Sequence, residues 1–340
     1  MMDKVSVTNK NGSNYMSNPI STNRLLNKIG DLWTLGVLLL IVIIFACIEQ
    51  NFFTSAYWLS TFVYLSEMLL LAVGETFVII TGGIDLSLGA IEGFVCVITA
   101  LFIKALIPVV GVTPAIVLGI LLGLLIGIFV GWVNGLIITK MRITPFITTL
   151  AMMGILTGFT FIFSGGTDVI GLPSEMTKVG NFVTLGILGF PVIVSWFITI
   201  VLYLVLSQTR FGVHTYAIGS NVEAARKAGI NVNRHLIKIY TLAGSLAAIS
   251  GILILLRYGT ASPLTGSNIV LNAVAAVVIG GTSLMGGTGN LLNSFIGATI
   301  IAVLITGLVL INVEPFWQMV AIGVIIIIAV YIDQIRVKNK

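Results

Sequence analysis

Charge is what this sequence has least of. Only 9% of its 340 residues are Asp, Glu, Lys or Arg, where a water-soluble domain carries about a quarter. With 57% hydrophobic residues and a mean hydropathy of +1.12, its surface has to face lipid rather than water. Cysteine is nearly absent. Cys47 and Cys96, each inside an apolar run, offer no disulfide framework and no metal spacing, so they read as packing. The two histidines, His214 and His235, fall in a basic stretch without any His-Glu-x-x-His or His/Cys pattern, and a solvated surface role is expected for both. No Gly-Lys pair occurs, so no phosphate-cradling G-x-x-x-x-G-K-[ST] loop is encoded. Gly281-Thr282-Ser283-Leu284-Met285 has Met where the hydrolase pattern G-x-S-x-G needs its last Gly. These absences argue against an enzyme: no catalytic, cofactor-binding or metal-ligating residue is expected, and no cofactor.

Long apolar runs are what the chain does have. A helix crosses the hydrocarbon core with roughly 20 apolar residues. Such runs lie at 32–48, 56–80, 88–107, 114–138, 145–163, 186–206, 238–257, 268–284, 291–311 and 316–333, the eighth being short and interrupted by Asn272. The expectation is an all-α polytopic membrane protein, a bundle of about ten spans. Residues 1–30 are polar, carry no cleavage site and read as a tail; 31–335 form the transmembrane domain; 336–340 are a second tail. Ten spans put both termini on one side. Fourteen basic residues share that side, among them Lys140, Arg142, Arg210, Arg226, Lys227, Arg234 and Lys238, against Lys104, Lys178 and Arg257 opposite. By the positive-inside rule the richer side is cytoplasmic. The +5 net charge is thus a membrane-orientation signal, and no nucleic-acid partner is expected.

Glycine is placed with regularity. Gly119, Gly123, Gly127, Gly131 and Gly135 recur every fourth residue through the fourth span, a strip of bare backbone that lets another helix approach. Packing within the chain is the first reading of this strip, and a subunit interface the second. Separately, Gly82-Gly83-Ile84-Asp85-Leu86-Ser87-Leu88-Gly89 echoes Gly280-Gly281-Thr282-Ser283-Leu284-Met285-Gly286-Gly287. Two parallel repeats would explain the echo; chance in a Gly-rich chain is the rival.

The long cytoplasmic loop 207–237 carries a short helix signal. Ser220-Asn221-Val222-Glu223 fits a capping box, with the Ser220 hydroxyl and the Glu223 carboxylate satisfying each other's backbone N–H groups. Ala224, Ala225 and Ala228 follow, Arg226 and Lys227 close the last turn, and Gly229 supplies a left-handed stop. A helix of about two turns is marginal alone in water. It has to rest on the membrane domain or on a cytoplasmic partner.

Acidic residues inside spans are costly and tend to face the bundle interior. Asp85 opens a stripe at helical spacing with Gly89, Glu92, Cys96 and Thr99, and Glu67 and Glu75 precede it. Glu67, Glu75, Asp85, Glu92 and Asn272 are therefore the candidate translocation pathway. For Asp85 the competing role is a cap on a helix starting near Leu86. On these residues alone a sugar path and a proton or cation path stand equal.

Three stretches are similar to one family, in that family's order: Thr81-Gly82-Gly83-Ile84-Asp85-Leu86-Ser87-Leu88-Gly89, then Tyr216 to Val232, then Ala275-Ala276-Val277-Val278-Ile279-Gly280-Gly281-Thr282-Ser283. They resemble the ribose-type (simple-sugar) permeases of ATP-driven ABC importers, within the branched-chain/sugar translocator superfamily, from about residue 50 onward. The resemblance implies a permease of the bacterial cytoplasmic membrane carrying a monosaccharide-like solute. It implies a separate ATPase that binds the ATP and magnesium, an extracytoplasmic sugar-binding protein, and a second permease copy or a paralogue. It also implies ATPase docking at the loop helix through Ser220, Asn221, Glu223, Ala224, Ala225, Arg226 and Gly229. The chain departs from the pattern at Asn272, where an acid is usual, and at Glu75, where the position is often apolar. The outer loop 164–185, with Asp168, Glu175 and Lys178, is the expected landing place of a binding protein. A proton- or cation-coupled secondary transporter is the rival reading.

Overall fold

A computed structural model describes residues 19–338, as a bundle of helices whose centre is formed by two of them. Helix α1 covers Pro19–Ile48, α2 Ser55–Ile80, α3 Leu88–Val110, α4 Val112–Leu136 and α5 Pro145–Ser164. The short α6 (Ser174–Gly180) and a two-strand hairpin, β1 (Val183–Thr184) with β2 (Leu188–Gly189), lead into α7 (Phe190–Gln208). Then come α8 (Arg210–Ser220), α9 (Val222–Lys227), α10 (Val232–Tyr258), α11 (Ile269–Ile279), α12 (Leu291–Leu310) and α13 (Pro315–Lys338). Residues 1–18 of the expected tail, and Asn339 and Lys340 of the other, lie outside the described residues. Helix begins at Pro19, well before the apolar run at 32.

Among the described residues, seven helices are long and apolar enough to cross a membrane: α2, α3, α4 continued through a π-turn to Met141, α5, α7, α10 and α12. Three shorter apolar helices, Thr34–Ile48, Ile269–Ile279 and Pro315–Ile328, occupy the remaining expected runs. The eighth run is the clear departure. Its helix α11 has 11 residues and is about 16 Å long, half of a hydrocarbon core of about 30 Å. Gly259, Pro263 and Gly266 keep the preceding segment irregular, and Gly281, at φ +84°, ends α11.

Helices α2 and α10 are the most enclosed, and both are apolar nearly all round, as a helix surrounded by helices must be. Helix α4 is two-faced. Leu121, Leu125, Phe129 and Trp132 are exposed on one side, while its five glycines face inward. Gly127, Gly131 and Gly135 lie against the backbone of α10 at Gly244, Tyr240 and Ile237. Gly119 and Gly123 lie against Ile103 and Thr99 of α3. A Cβ at Gly135 would stand 2.7 Å from the Ile237 Cα, so the side chain is absent where the helices touch.

The two ends of the bundle differ. At one, Lys104 Nζ donates to Ile170 O (2.8 Å), Val169 bridges Ala261, and Asn181 Nδ2 donates to Arg257 O (2.8 Å). The other holds the turns after α2, α4 and α11 together with α8 and α9. There the two echoing glycine segments lie side by side. Gly287 N donates to Ile80 O (2.8 Å), and Gly286 abuts Gly82. The helix ends match with a one-residue shift from the sequence echo. Gly82 N bonds Ile79 O and Gly83 N bonds Val78 O, as Gly281 N bonds Val278 O and Thr282 N bonds Val277 O. Gly82 thus corresponds to Gly281, both at positive φ, because the hydrogen-bond geometry needs a left-handed residue at that one place.

Candidate functional sites: a docking helix and two buried acid clusters

Helix α9 is capped at both ends by its own sequence, though by a different residue from the one expected. Ser220 is the last residue of α8, so Asn221 takes the extended N-cap conformation and its Oδ1 accepts from Ala224 N (2.9 Å). Glu223 pairs forward with Arg226 (3.0 Å) instead of reaching back, so the capping box does not form. At the other end Gly229, φ +84°, donates to Arg226 O and Ile230 N donates to Ala225 O, which satisfies two carbonyls at once. Ala225 is buried against Ile218 and Val232, with Ile230 packed alongside. The chain itself therefore supplies the surface that such a short helix needs. Glu223, Ala224, Arg226 and Lys227 remain exposed.

Helix α8, unforeseen in the sequence, ties α9 to the bundle. Gly219 sits against Ile80 O and Gly287 N, and Tyr216 OH donates to Gly289 O (2.8 Å). Burial raises the Tyr216 phenol above its ordinary pKa, so it stays a proton donor. His235 is buried, contrary to the solvated role expected of it. Its Nε2 meets Thr215 Oγ1 (2.9 Å) and its ring lies against Phe211, which fixes α8 on α10.

The intramembrane acids separate into two groups. The first lies toward the Arg257 end. Glu67 pairs with Arg257 (3.5 Å). Ser250 Oγ donates to Glu92 Oε1 and lies 3.0 Å from Glu67 O. Glu92 Oε2 is buried without a hydrogen-bond partner. Both carboxyls line a cavity of about 270 Å³ whose lip includes the exposed Tyr258 and Thr260. Asn272 joins this group at one remove, its Nδ2 donating to Tyr64 OH (3.0 Å).

The second group is sealed. Glu75 Oε1 accepts from Asp85 N (3.1 Å), Asp85 Oδ1 accepts from Ser87 N (2.9 Å) and from its hydroxyl, and Asn134 Nδ2 donates to Ser87 Oγ (2.9 Å). All four side chains, and Tyr240 against which Gly83 packs, are fully buried. Asp85 does not cap a helix. Helix α3 starts at Leu88, and Asp85 instead closes an Asx-turn onto Ser87, within a segment held by Thr149 through Leu86 N and Ile84 O. Along the expected stripe Gly89, Glu92, Cys96 and Thr99 are all buried; Gly89 meets the backbone of Gly266 and Thr99 meets Gly123. No group of three or more metal-ligating side chains occurs among the described residues.

Residues 57–330 match the family described as branched-chain amino acid transport system / permease component. Among individual relatives, the ribose import permease protein of Bacillus subtilis is 40% identical over 91% of this chain and 93% of its own. The fructose import permease protein of Rhizobium meliloti is 36% identical over 88% of this chain and 83% of its own. The galactose/methyl galactoside import permease protein of Haemophilus influenzae is 34% identical over 89% and 94%. No solved structure matches. The chain belongs to this permease family, as a multi-pass membrane protein.

Proposed function

We propose that this member of the permease family is the membrane-spanning subunit of an ABC importer for a monosaccharide, of the kind its relatives are named for. ATP is bound and hydrolysed by a separate cytoplasmic subunit, which docks on α9. A binding protein delivers the sugar at the opposite end, onto the segment 164–185, and a second permease copy completes the pathway. The end bearing Lys140, Arg142, Arg226 and Lys227 is then cytoplasmic, as the positive-inside rule requires.

The observation that carries the reading is the build of α9. Its six residues are closed at the ends by the flanking Asn221 and Gly229, lean on the bundle through Ala225 and turn a charged face outward. Such a unit can be pushed as a rigid piece. Through Gly219 and Tyr216 the push reaches the turns after α2 and α11, where Gly82, Gly286 and Gly287 leave no side chains in the way. Closure of the ATPases would so shift a two-state bundle from outward to inward access.

The test is extraction of the tagged chain in mild detergent, together with ATP-driven sugar uptake in proteoliposomes. A P-loop ATPase is expected to co-purify in near-stoichiometric amount. Glu223→Lys, which inverts the docking face without touching either cap, is expected to cut coupled uptake on the order of tenfold, as loss of one interface anchor does. Normal uptake with normal ATPase association in that variant overturns the docking assignment. Uptake by the chain alone without ATP overturns the importer reading.

A further inference from the structure

The chain does not cross the Arg257 end evenly. After Tyr258 it turns back into the bundle, and Gly266 comes to rest against the backbone of Gly89, near the start of α3. There α11 begins. Ser250 and Gly251, which meet Glu92, lie about ten residues along α10 from Tyr240, or roughly 15 Å. Two helices, α3 and α11, therefore begin inside the bundle near one point, and the returning segment 259–268 lies between their starts and the exposed end. Such interrupted helices bring backbone donors to the interior of transporters. The α11 N-cap, Asn268, makes no side-chain capping bond, which leaves the first amides of α11 available.

The cavity at this point is lined by six oxygen-bearing side chains: Glu67, Glu92, Tyr258, Thr260, Ser262 and Thr265. Glu92 is fully buried, and its Oε2, which has no partner, faces Gly266: a Cβ added there would stand 3.1 Å from it. Glu67 keeps its orientation through Arg257. The mix is two carboxyl acceptors, three hydroxyls that both donate and accept, a tyrosine at the lip and the apolar flank of Ile254 and Ile269. A hydroxylated ring demands this mix, because each of its hydroxyls gives and takes a hydrogen bond while its C–H faces need apolar cover. A metal ion would want more acids and no apolar flank.

From this geometry we infer that the cavity between the starts of α3 and α11 is a sugar subsite within the single chain, in which Glu92 Oε2 accepts from a ring hydroxyl and Ser262 and Thr265 contact its neighbours. The inference rests on the importer reading and adds a place where the solute pauses inside the permease. Glu75 and Asp85 take no part in it.

The test uses the full chain with its ATPase in proteoliposomes, supplied with its sugar-binding protein. Ser262→Cys, in a chain whose exposed Cys47 is replaced by Ser, is labelled with a small charged thiol reagent, with D-ribose, D-fructose, D-allose or D-galactose present or absent. The cysteine is expected to react, and the transported sugar is expected to slow labelling about tenfold at ten times its half-protecting concentration, by simple mass action. Glu92→Leu in the same background, which leaves no acceptor oxygen, is expected to abolish that protection while the cysteine still reacts without sugar. If Ser262→Cys disrupts assembly, Thr265→Cys carries the same measurement. Labelling that no sugar slows, while ATP-driven uptake of one of them persists, overturns the subsite and leaves the importer reading intact. Protection by sodium or potassium in place of sugar also overturns the subsite. Absence of ATP-driven uptake for every sugar overturns both.

Discussion

The two buried acid clusters are made from the same chemistry and end in opposite conditions. Around Glu67 and Glu92 a cation is present, Arg257, and the carboxyls line a cavity that reaches exposed residues. Around Glu75 and Asp85, among the described residues, no cation pairs with either carboxyl, and every member of the cluster is fully buried. The bonds differ in kind as well. In the sealed cluster the acids hold backbone: Glu75 takes the Asp85 amide and Asp85 takes the Ser87 amide, which fixes the extended segment between α2 and α3. In the open cluster they meet the side chains of Ser250 and Arg257; Glu92 Oε2 is left unpartnered beside Gly266 at the cavity wall, whereas Glu75 Oε2 and Asp85 Oδ2 are left unpartnered with no cavity beside them. Both clusters leave carboxyl oxygens unpartnered, so an acid inside a membrane protein announces a function only when it lines a cavity. Otherwise it is a strut that replaces water for a stranded amide.

The largest effect that separates the two is on stability. Glu75→Ala removes the acceptor of a buried amide and leaves a void, and is expected to cost about 2–4 kcal/mol. Thermal unfolding of the purified chain in detergent reads this. Glu75→Gln keeps an acceptor oxygen in place and should restore most of the loss. A stable Glu75→Ala protein that assembles normally but cannot transport would break the comparison, since Glu75 would then belong to the pathway.

Glu67→Gln should behave in the reverse sense. The pair is mostly buried, but Gln keeps an oxygen toward Arg257, so the loss is expected at about 1–2 kcal/mol, below that of Glu75→Ala. Uptake should nevertheless fall several-fold, because a charge-assisted contact orienting the cavity is gone. A Glu67→Gln protein with a much lower unfolding temperature and unchanged uptake per folded molecule would show the open cluster to be a strut too.

Much of this arrangement was legible and some was not, for identifiable reasons. Apolar runs locate each main helix because lipid imposes length and composition together. Gly229 is readable as a stop because few other residues tolerate its φ. Asn221 and Ser220 are both good caps, and which one caps α9 is decided by where α8 ends. That helix is masked by its low apolarity and by Gly212 and Gly219. Helix α11 reads as a full span because its apolar run continues toward Leu284, and only the packing of Gly266 on Gly89 shows that it starts inside. Thr260, Ser262 and Thr265 lay in plain view as a hydroxyl run, yet they read as an outer link because hydropathy cannot show a chain turning back. Asn134 and Tyr240 join Asp85 from far along the sequence, so no local signal exists for them.

The smallest expected effect is the sharpest probe of what sealed means. Tyr240 is fully buried with its hydroxyl unpartnered, near both Glu75 and Asp85. Burying a hydroxyl without a bond is unfavourable, so Tyr240→Phe should be neutral or slightly stabilising, within about 0.5 kcal/mol. Gly83 lies against that hydroxyl, so its removal leaves a gap of only one atom while the ring keeps its place. Transport in this variant should also be unchanged. If Tyr240→Phe instead slows uptake while the unfolding temperature holds, the phenol must find a partner in another state of the transport cycle. The Glu75–Asp85 cluster would then open during turnover, and the difference between the clusters would be one of timing, with the sealed group acting as the later of two stations.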